Sequence, residues 1–191
     1  MKELEQKICE ESKVLPGNVL KVDNFLNHQI DISFLMKMGQ EVAELFKNCK
    51  IDKIVTIEAS GIAVGVAVAA AMGLPLVFAK KSKTSNIDKD VYSARVHSYT
   101  HNKEYDIVIS KEFLSSGEKI LIVDDFLATG NALKALISIA NEAQISIVGV
   151  AIAIEKAFQK GGDTVRSMGI RVESLARIAS MDEKKGIVFI A

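Results

Sequence analysis

The sequence predicts one α/β domain with a mainly parallel β-sheet covered by helices on both faces. Three observations carry that prediction. Runs rich in apolar and β-branched residues, without alternation, recur at 53–57, 76–79, 120–123 and 147–154, and strands of this kind are buried on both sides. Apolar stretches with the length or spacing of helices follow the first and third of them, at 62–72 and 132–139. The order strand, helix, strand therefore occurs twice, which is two βαβ units. The 191 residues, nearly half of them apolar, are enough for one domain with a sizeable core, taken as residues 1–191.

Each element has a local cause. Residues 2–13 read as a short amphipathic helix with Leu4, Ile8 and Cys9 on one side, ended by Pro16-Gly17. A short strand at 19–22 leads into an irregular stretch through His28. Asp31 or Ser33 caps a helix that carries Phe34, Leu35, Met38, Val42, Leu45 and Phe46 at helical spacing. The strand at 53–57 enters a turn, Glu58-Ala59-Ser60-Gly61, and the helix behind it closes at Gly73 with Pro75 just beyond. The strand at 120–123 meets the acidic pair Asp124-Asp125 where it ends. A turn of small residues and a second helix follow. Runs at 171–178 and 187–190 read as two further short strands that extend or edge the sheet.

Residues 80–104 differ in kind. Lys80, Lys81, Lys83, Lys89, Arg95 and Lys103 outnumber Asp88, Asp90 and Glu104, and two of the three histidines, His97 and His101, lie here. Few large apolar residues anchor the segment. It reads as a long polar loop, either a functional one such as an active-site lid or a solvated surface excursion.

Composition excludes several functions. A formal net charge of zero argues against non-specific nucleic-acid binding. The longest apolar stretch, 62–72, is about half of the ~20 residues that a bilayer crossing needs. Residues 1–13 are charged throughout, without a signal-peptide pattern, so a cytoplasmic protein is expected. Cys9 and Cys49 are far apart, lack ligand spacing and fall at apolar helix positions, which predicts buried thiols. The histidines and cysteines form no metal cluster. Neither Gly-x-x-x-x-Gly-Lys-Ser/Thr nor Gly-x-Gly-x-x-Gly after a strand is present.

The run Ile120-Leu121-Ile122-Val123-Asp124-Asp125-Phe126-Leu127-Ala128-Thr129-Gly130-Asn131-Ala132 concentrates the chemistry. A small-residue turn opening a helix aims backbone N–H groups into one hollow, where the helix start adds partial positive charge, so a phosphate fits. The adjacent carboxylates suit ribose hydroxyls or a divalent metal. Together they sketch a site for a phosphorylated sugar.

This run resembles the 5-phosphoribosyl-1-diphosphate (PRPP) signature of the type I phosphoribosyltransferases. The resemblance covers essentially the whole chain. Residues 17–31 and Arg95-Val96-His97-Ser98-Tyr99-Thr100 look like the bacterial xanthine-specific branch of that family. The resemblance implies the type I phosphoribosyltransferase fold, with a small hood formed largely by 1–30 and the C-terminal segment, and a flexible loop at about 80–104. It implies that Asp124 and Asp125 hold the ribose 2- and 3-hydroxyls. It implies that Ala128, Thr129, Gly130, Asn131 and Ala132 hold the 5-phosphate. The turn Glu58, Ala59, Ser60 and Gly61 then takes the diphosphate, and Lys81, beside Lys80, reaches it. Glu58, an odd neighbour for an anion, is expected to face a metal-bound water or the protein. Leu20, Asn27 and Lys156 would contact the base. Lys156 donates to a purine O6, which favours 6-oxopurines over adenine. The implied reaction joins xanthine and PRPP in purine salvage, with Mg²⁺ carried in by PRPP rather than held directly by the protein, in a homodimer. Two alternatives stay open: a guanine- or hypoxanthine-preferring transferase on the same scaffold, and a non-catalytic PRPP-sensing regulator.

Overall fold

The computed structural model describes residues 1–82, 90–98 and 103–190. The chain begins with α1 (Lys2–Glu11), a hairpin of β1 (Lys13–Leu15) and β2 (Val19–Lys21), and a single π turn, Asp23–Asn27. Helix α2 (Ile32–Leu45) opens on Asp31, whose carboxylate accepts the Phe34 N–H at 3.1 Å; of the two candidate caps, Asp31 is the one used. Then come β3 (Lys53–Ile57), α3 (Gly61–Met72) and β4 (Leu76–Ser82). Gly73 closes α3 at φ 65°, a left-handed conformation in which glycine carries no Cβ penalty. After β5 (Val91–Ser98) and β6 (Lys103–Ser110), the second unit is β7 (Lys119–Leu127), α4 (Asn131–Glu142) and β8 (Ser146–Lys156). A short helix α5 (Gly161–Ser167) and strands β9 (Val172–Asp182) and β10 (Gly186–Phe189) follow.

Eight strands form one sheet in the order β10-β9-β8-β7-β3-β4-β6-β5. Its centre, β9-β8-β7-β3-β4, is parallel, while β10 and the β6–β5 pair are antiparallel. The pleat divides the core. Leu121 and Val123 of β7 join α2 and α3 on one face; Ile120 and Ile122 join α4 on the other. From β3 the chain moves outward to β4, and from β7 it moves outward the opposite way to β8. The β3/β7 boundary is thus the topological switch point, where a crevice opens at the carboxyl ends of the strands.

The N-terminal segment joins the same core. Leu4, Ile8, Leu20, Val22, Phe25 and Leu26 pack with Leu175 and Ile178 of β9 and with Ile187 and Phe189 of β10. The Met1 ammonium donates to the Leu175 carbonyl.

Three expectations are corrected. The described parts of 80–104 are strand rather than loop: β4 runs to Ser82, and β5 pairs antiparallel with β6 from Val91↔Ser110 to Ser98↔Lys103. The ribbon hides from sequence reading because β5 is largely polar, so no apolar run marks it as strand; its pairing with β6 does. Residues 83–89 and 99–102, with Lys83, Lys89 and His101, lie outside the described residues. The acidic pair does not end its strand; β7 continues to Leu127, with Asp124 registered opposite Ile152. Finally, Cys9 is exposed and Cys49 only half-buried. Leu4 and Ile8 take the buried stripe of α1, and Cys9 is rotated about 100° from Ile8. Among the described residues, no helix is long and apolar enough to cross a membrane.

Candidate active site

The switch-point crevice gathers most of the residues singled out above. Asp124 and Asp125 are nearly buried, at 7% and 6% exposure. The Asp125 N–H donates to Asp124 Oδ1 at 3.0 Å. Burial, and then the neighbouring Asp125 carboxylate, hold the Asp124 carboxyl well above the usual carboxylate range; the Lys81 ammonium acts in the opposite sense. A buried acidic pair in this state gains from a hydroxyl donor or a cation brought to it.

Beyond the pair, Gly130 stands at φ 81° and caps α4. A cavity of about 190 Å³ opens over this turn, lined by Asp124, Phe126, Ala128, Thr129, Gly130, Asn131 and Ala132, by Val96 and Tyr105 of the β5–β6 ribbon, and by Gln159. The Tyr105 hydroxyl is pushed up by burial and then by Asp124. The N-terminus of α4 opens into this cavity.

The β3–α3 turn closes the crevice from the other side. A Cβ on Gly61 would lie 2.4 Å from Thr56 Oγ1 and 2.6 Å from Asp124 Oδ1. Only glycine lets this turn approach the acidic pair so closely. Thr56 Oγ1 is fully buried and has no hydrogen-bond partner among the described residues. The Glu58–Ala59 peptide is cis. Glu58 turns back to the protein and accepts the Lys81 N–H, in line with the second of its two expected surroundings. Ala59, Ser60, Lys81 and Asn27 share a second cavity of about 310 Å³ with Leu26, Ile30 and Ala63. Lys80 and Lys81 are both exposed, and the Lys81 ammonium stands 5.4 Å from the Tyr105 ring centre.

Lys156 ends β8. Its ammonium donates to the Asn18 carbonyl at 2.9 Å and stands 5.3 Å from the Phe126 ring centre. Burial lowers its affinity for a proton. Leu20, two residues after Asn18, is buried in the core and lines neither cavity. Asn27 lies beside the Glu58–Gly61 turn, and the hairpin carbonyl, rather than Asn27, holds Lys156.

Several contributors have no clear signature in the sequence. Phe126 stands inside the acidic run, yet its ring meets Lys156 only through β7–β8 pairing. Gly161 and Gly162 form a small-residue pair just past a strand end, which is a signal of close approach. The Gly161 N–H donates to the Ala128 carbonyl at 3.1 Å, and a Cβ there would lie 2.3 Å from that oxygen. Tyr105 reaches the cavity only because the ribbon folds back.

Next to Lys156, Glu155 is 1% exposed, and its carboxylate accepts from Arg166, Ser174 and Arg177. Burial pushes its pKa up, but the paired Arg166 hydrogen bonds, Ser174 and the two guanidinium charges overcome that and hold it below the ordinary value. A depressed carboxylate stabilises the fold above the unfolded-state pKa, about 4.3, and loses that contribution as pH falls through the folded value. Glu155→Gln is therefore expected to lower Tm at pH 7, and the difference from the wild type should shrink as pH falls below about 4.3. A Tm difference that stays constant across thermal melts from pH 7 to pH 3 would contradict the linkage.

The crevice thus sets an acidic pair on a central parallel strand beside the glycine-capped start of α4, in an α/β domain. Residues 21–174 match the model of the phosphoribosyl transferase domain family. The chain is 50% identical over 189 residues to a xanthine phosphoribosyltransferase of Bifidobacterium adolescentis, covering 98% of each. It is 50% identical over 190 residues to one of Brevibacillus brevis, covering 100% of this chain and 96% of that one. Among solved structures it is similar to an adenine phosphoribosyltransferase of Giardia lamblia, with TM-score 0.76, 24% identity, and coverage of 92% and 96%; that likeness bears on the fold. The chain belongs to the phosphoribosyl transferase family, on the branch of the xanthine phosphoribosyltransferases.

Proposed function

We propose that the protein transfers the 5-phosphoribosyl group from PRPP to xanthine, giving xanthosine 5-monophosphate and diphosphate in purine salvage. The observation that carries this is the buried Asp124-Asp125 pair between the helix-capping turn at Gly130 and the tight turn at Gly61. In this reading the N–H groups of 128–132 and the Thr129 hydroxyl hold the 5-phosphate. Asp124 and Asp125 accept the ribose hydroxyls, and hydroxyl donors brought to the buried pair favour its ionised form. As the bond to diphosphate breaks, the ribosyl centre gains positive charge, and the fixed carboxylates stabilise it. The Glu58–Gly61 turn and Lys81 receive the departing diphosphate.

Lys156 donates to the purine O6, and Phe126 lies against the base. Adenine has an amino group at that position and leaves the ammonium without an acceptor, which is costly in a site built to donate. The Asn27 amide serves the 2-oxo group. A Lys156→Ala variant is expected to raise KM for xanthine about tenfold or more, with KM for PRPP within about twofold, since a lost hydrogen bond from a charged donor costs roughly 1.5–3 kcal/mol. Equal rises in both constants would remove Lys156 from the base site.

The oxygen-only donors at the pair suit Mg²⁺, and Thr56 Oγ1 beside them is an orphaned buried oxygen. Among the described residues, no three His, Cys, Asp or Glu side chains gather to hold a metal alone. Mg²⁺ carried by PRPP, with Asp124 and Asp125 reaching it through ribose hydroxyls or water, would neutralise charge on the diphosphate. A cytoplasmic homodimer completes the proposal. The test of function is nucleotide formation with PRPP and Mg²⁺, with xanthine, guanine, hypoxanthine and adenine offered side by side. Preference for xanthine is expected. Preference for guanine or hypoxanthine would overturn the base assignment, and PRPP binding without turnover of any base would favour a regulator.

A further inference from the structure

The Glu155 cluster touches neither cavity, yet its two ends meet the two halves of the site. At one end Glu155 precedes Lys156 directly, and β8–β9 pairing sets Glu155 opposite Arg177 and Lys156 opposite Ile178. Arg166 grips the carboxylate with two parallel bonds of 2.8 and 2.7 Å, Ser174 donates at 2.7 Å and Arg177 at 3.2 Å. At the other end, Gly161 bonds the Ala128 carbonyl of the phosphate turn. A Cβ on Gly161 would also stand 2.7 Å from the Gly130 nitrogen. Gly162 then folds against the cluster itself: its Cβ would lie 2.1 Å from Glu155 Oε1 and 2.5 Å from Arg166 Nη1.

Residues 155–162 are therefore a short strap. It leaves the sheet beside the base lysine, passes Gln159 at the cavity wall, touches the phosphate turn at Gly161, and returns to Glu155 at Gly162. Three donors on α5 and β9 fix one carboxylate, and that carboxylate fixes both ends of the strap. A buried ion cluster contributes little net stability against an apolar alternative, but its geometry is narrow.

Resting on the proposed transfer reaction, we propose that the Glu155–Arg166–Ser174–Arg177 cluster is a positioning device. It sets the spacing between the phosphate-binding turn and Lys156, and so couples recognition of PRPP to recognition of the base. None of the four residues touches substrate. Loosening the cluster should weaken both substrates together, whereas loss of a direct contact, as in Lys156→Ala, weakens one.

The experiment compares wild type, Glu155→Gln, Ser174→Ala and Gly162→Ala. It measures steady-state KM for PRPP and for xanthine, and equilibrium binding of Mg²⁺–PRPP with no base present. Glu155→Gln should raise both KM values at least fivefold and weaken PRPP binding to match, with a smaller change in kcat. Ser174→Ala should raise both by two- to threefold, and it carries the test with Gly162→Ala if Glu155→Gln does not fold. Variants that melt earlier but keep both KM values, or in which only one KM rises, would overturn the proposal and leave the cluster a fold-stabilising element. Wild-type turnover of xanthine in the same assay tests the functional reading separately. Should it fail, PRPP binding across the variants still decides whether the cluster governs the phosphate turn.

Discussion

Asp125→Asn should lower kcat by more than tenfold while leaving the fold intact. The amide has the shape of the carboxylate but no charge to set against a ribosyl centre that becomes positive as its bond to diphosphate breaks. A tenfold loss corresponds to about 1.4 kcal/mol of transition-state stabilisation, a modest demand on a charge this buried. The same substitution removes the carboxylate that repels Asp124, so Tm should hold or rise. The Asp125 N–H bond to Asp124 Oδ1 is a backbone contact and survives the change. Steady-state kinetics beside a thermal melt check both halves. Near-normal turnover in a folded variant would remove Asp125 from the reaction, and a collapse of Tm would make the pair a structural device.

Gly61→Ala should lower turnover more than tenfold by pressing directly on the acidic pair. The new carbon would press on Thr56 Oγ1 at 2.4 Å and on Asp124 Oδ1 at 2.6 Å, both far inside van der Waals contact. Either the β3–α3 turn or the acidic pair has to move. Overpacking of this kind costs roughly 1–3 kcal/mol of stability, and displacing Asp124 should cost more than tenfold in turnover. Gly65→Ala on the same helix is the matched control. There the new methyl meets the mobile end of Leu76 at 3.0 Å and Thr56 Cγ2 at 3.3 Å, so a small loss of stability with nearly normal turnover is expected. Equal activity in the two variants would show that closeness of this turn to Asp124 does not matter for the reaction.

Burial and chemistry are entangled at this crevice. Four polar groups at the switch point sit in the sheet with little water: Thr56, Asp124, Asp125 and, a strand further, Glu155. Glu155 is matched by three donors. Asp124 and Asp125 are left poised for partners, and Thr56 Oγ1 has none among the described residues. Glu155 is thus fully paired within the protein, whereas Asp124 Oδ1 accepts the Asp125 N–H and Thr56 Oγ1 is the orphaned oxygen among the described residues.

What the sequence determined by itself was the architecture and the place of the acidic pair beside the start of α4. Unalternated runs such as 120–123 and the helical spacing of 132–139 are local signals, and two βαβ units confine the chain to a parallel sheet with a crevice at its switch point. Asp124, Asp125 and the turn at 128–132 are contiguous, so their closeness at one crevice could be read along the chain. The tertiary structure decided what depends on distant partners. The antiparallel ribbon of β5 and β6 was invisible because β5 is largely polar, and only its pairing with β6 marks it as strand. Cys9 faces solvent because one residue of helical rotation separates it from Ile8. The contact of Phe126 with Lys156, the tie from Lys156 to the Asn18 carbonyl, and the clasp of Glu155 by residues on α5 and β9 join segments far apart in sequence. Periodicity reports which face of an element is buried, and only packing reports what lies against it.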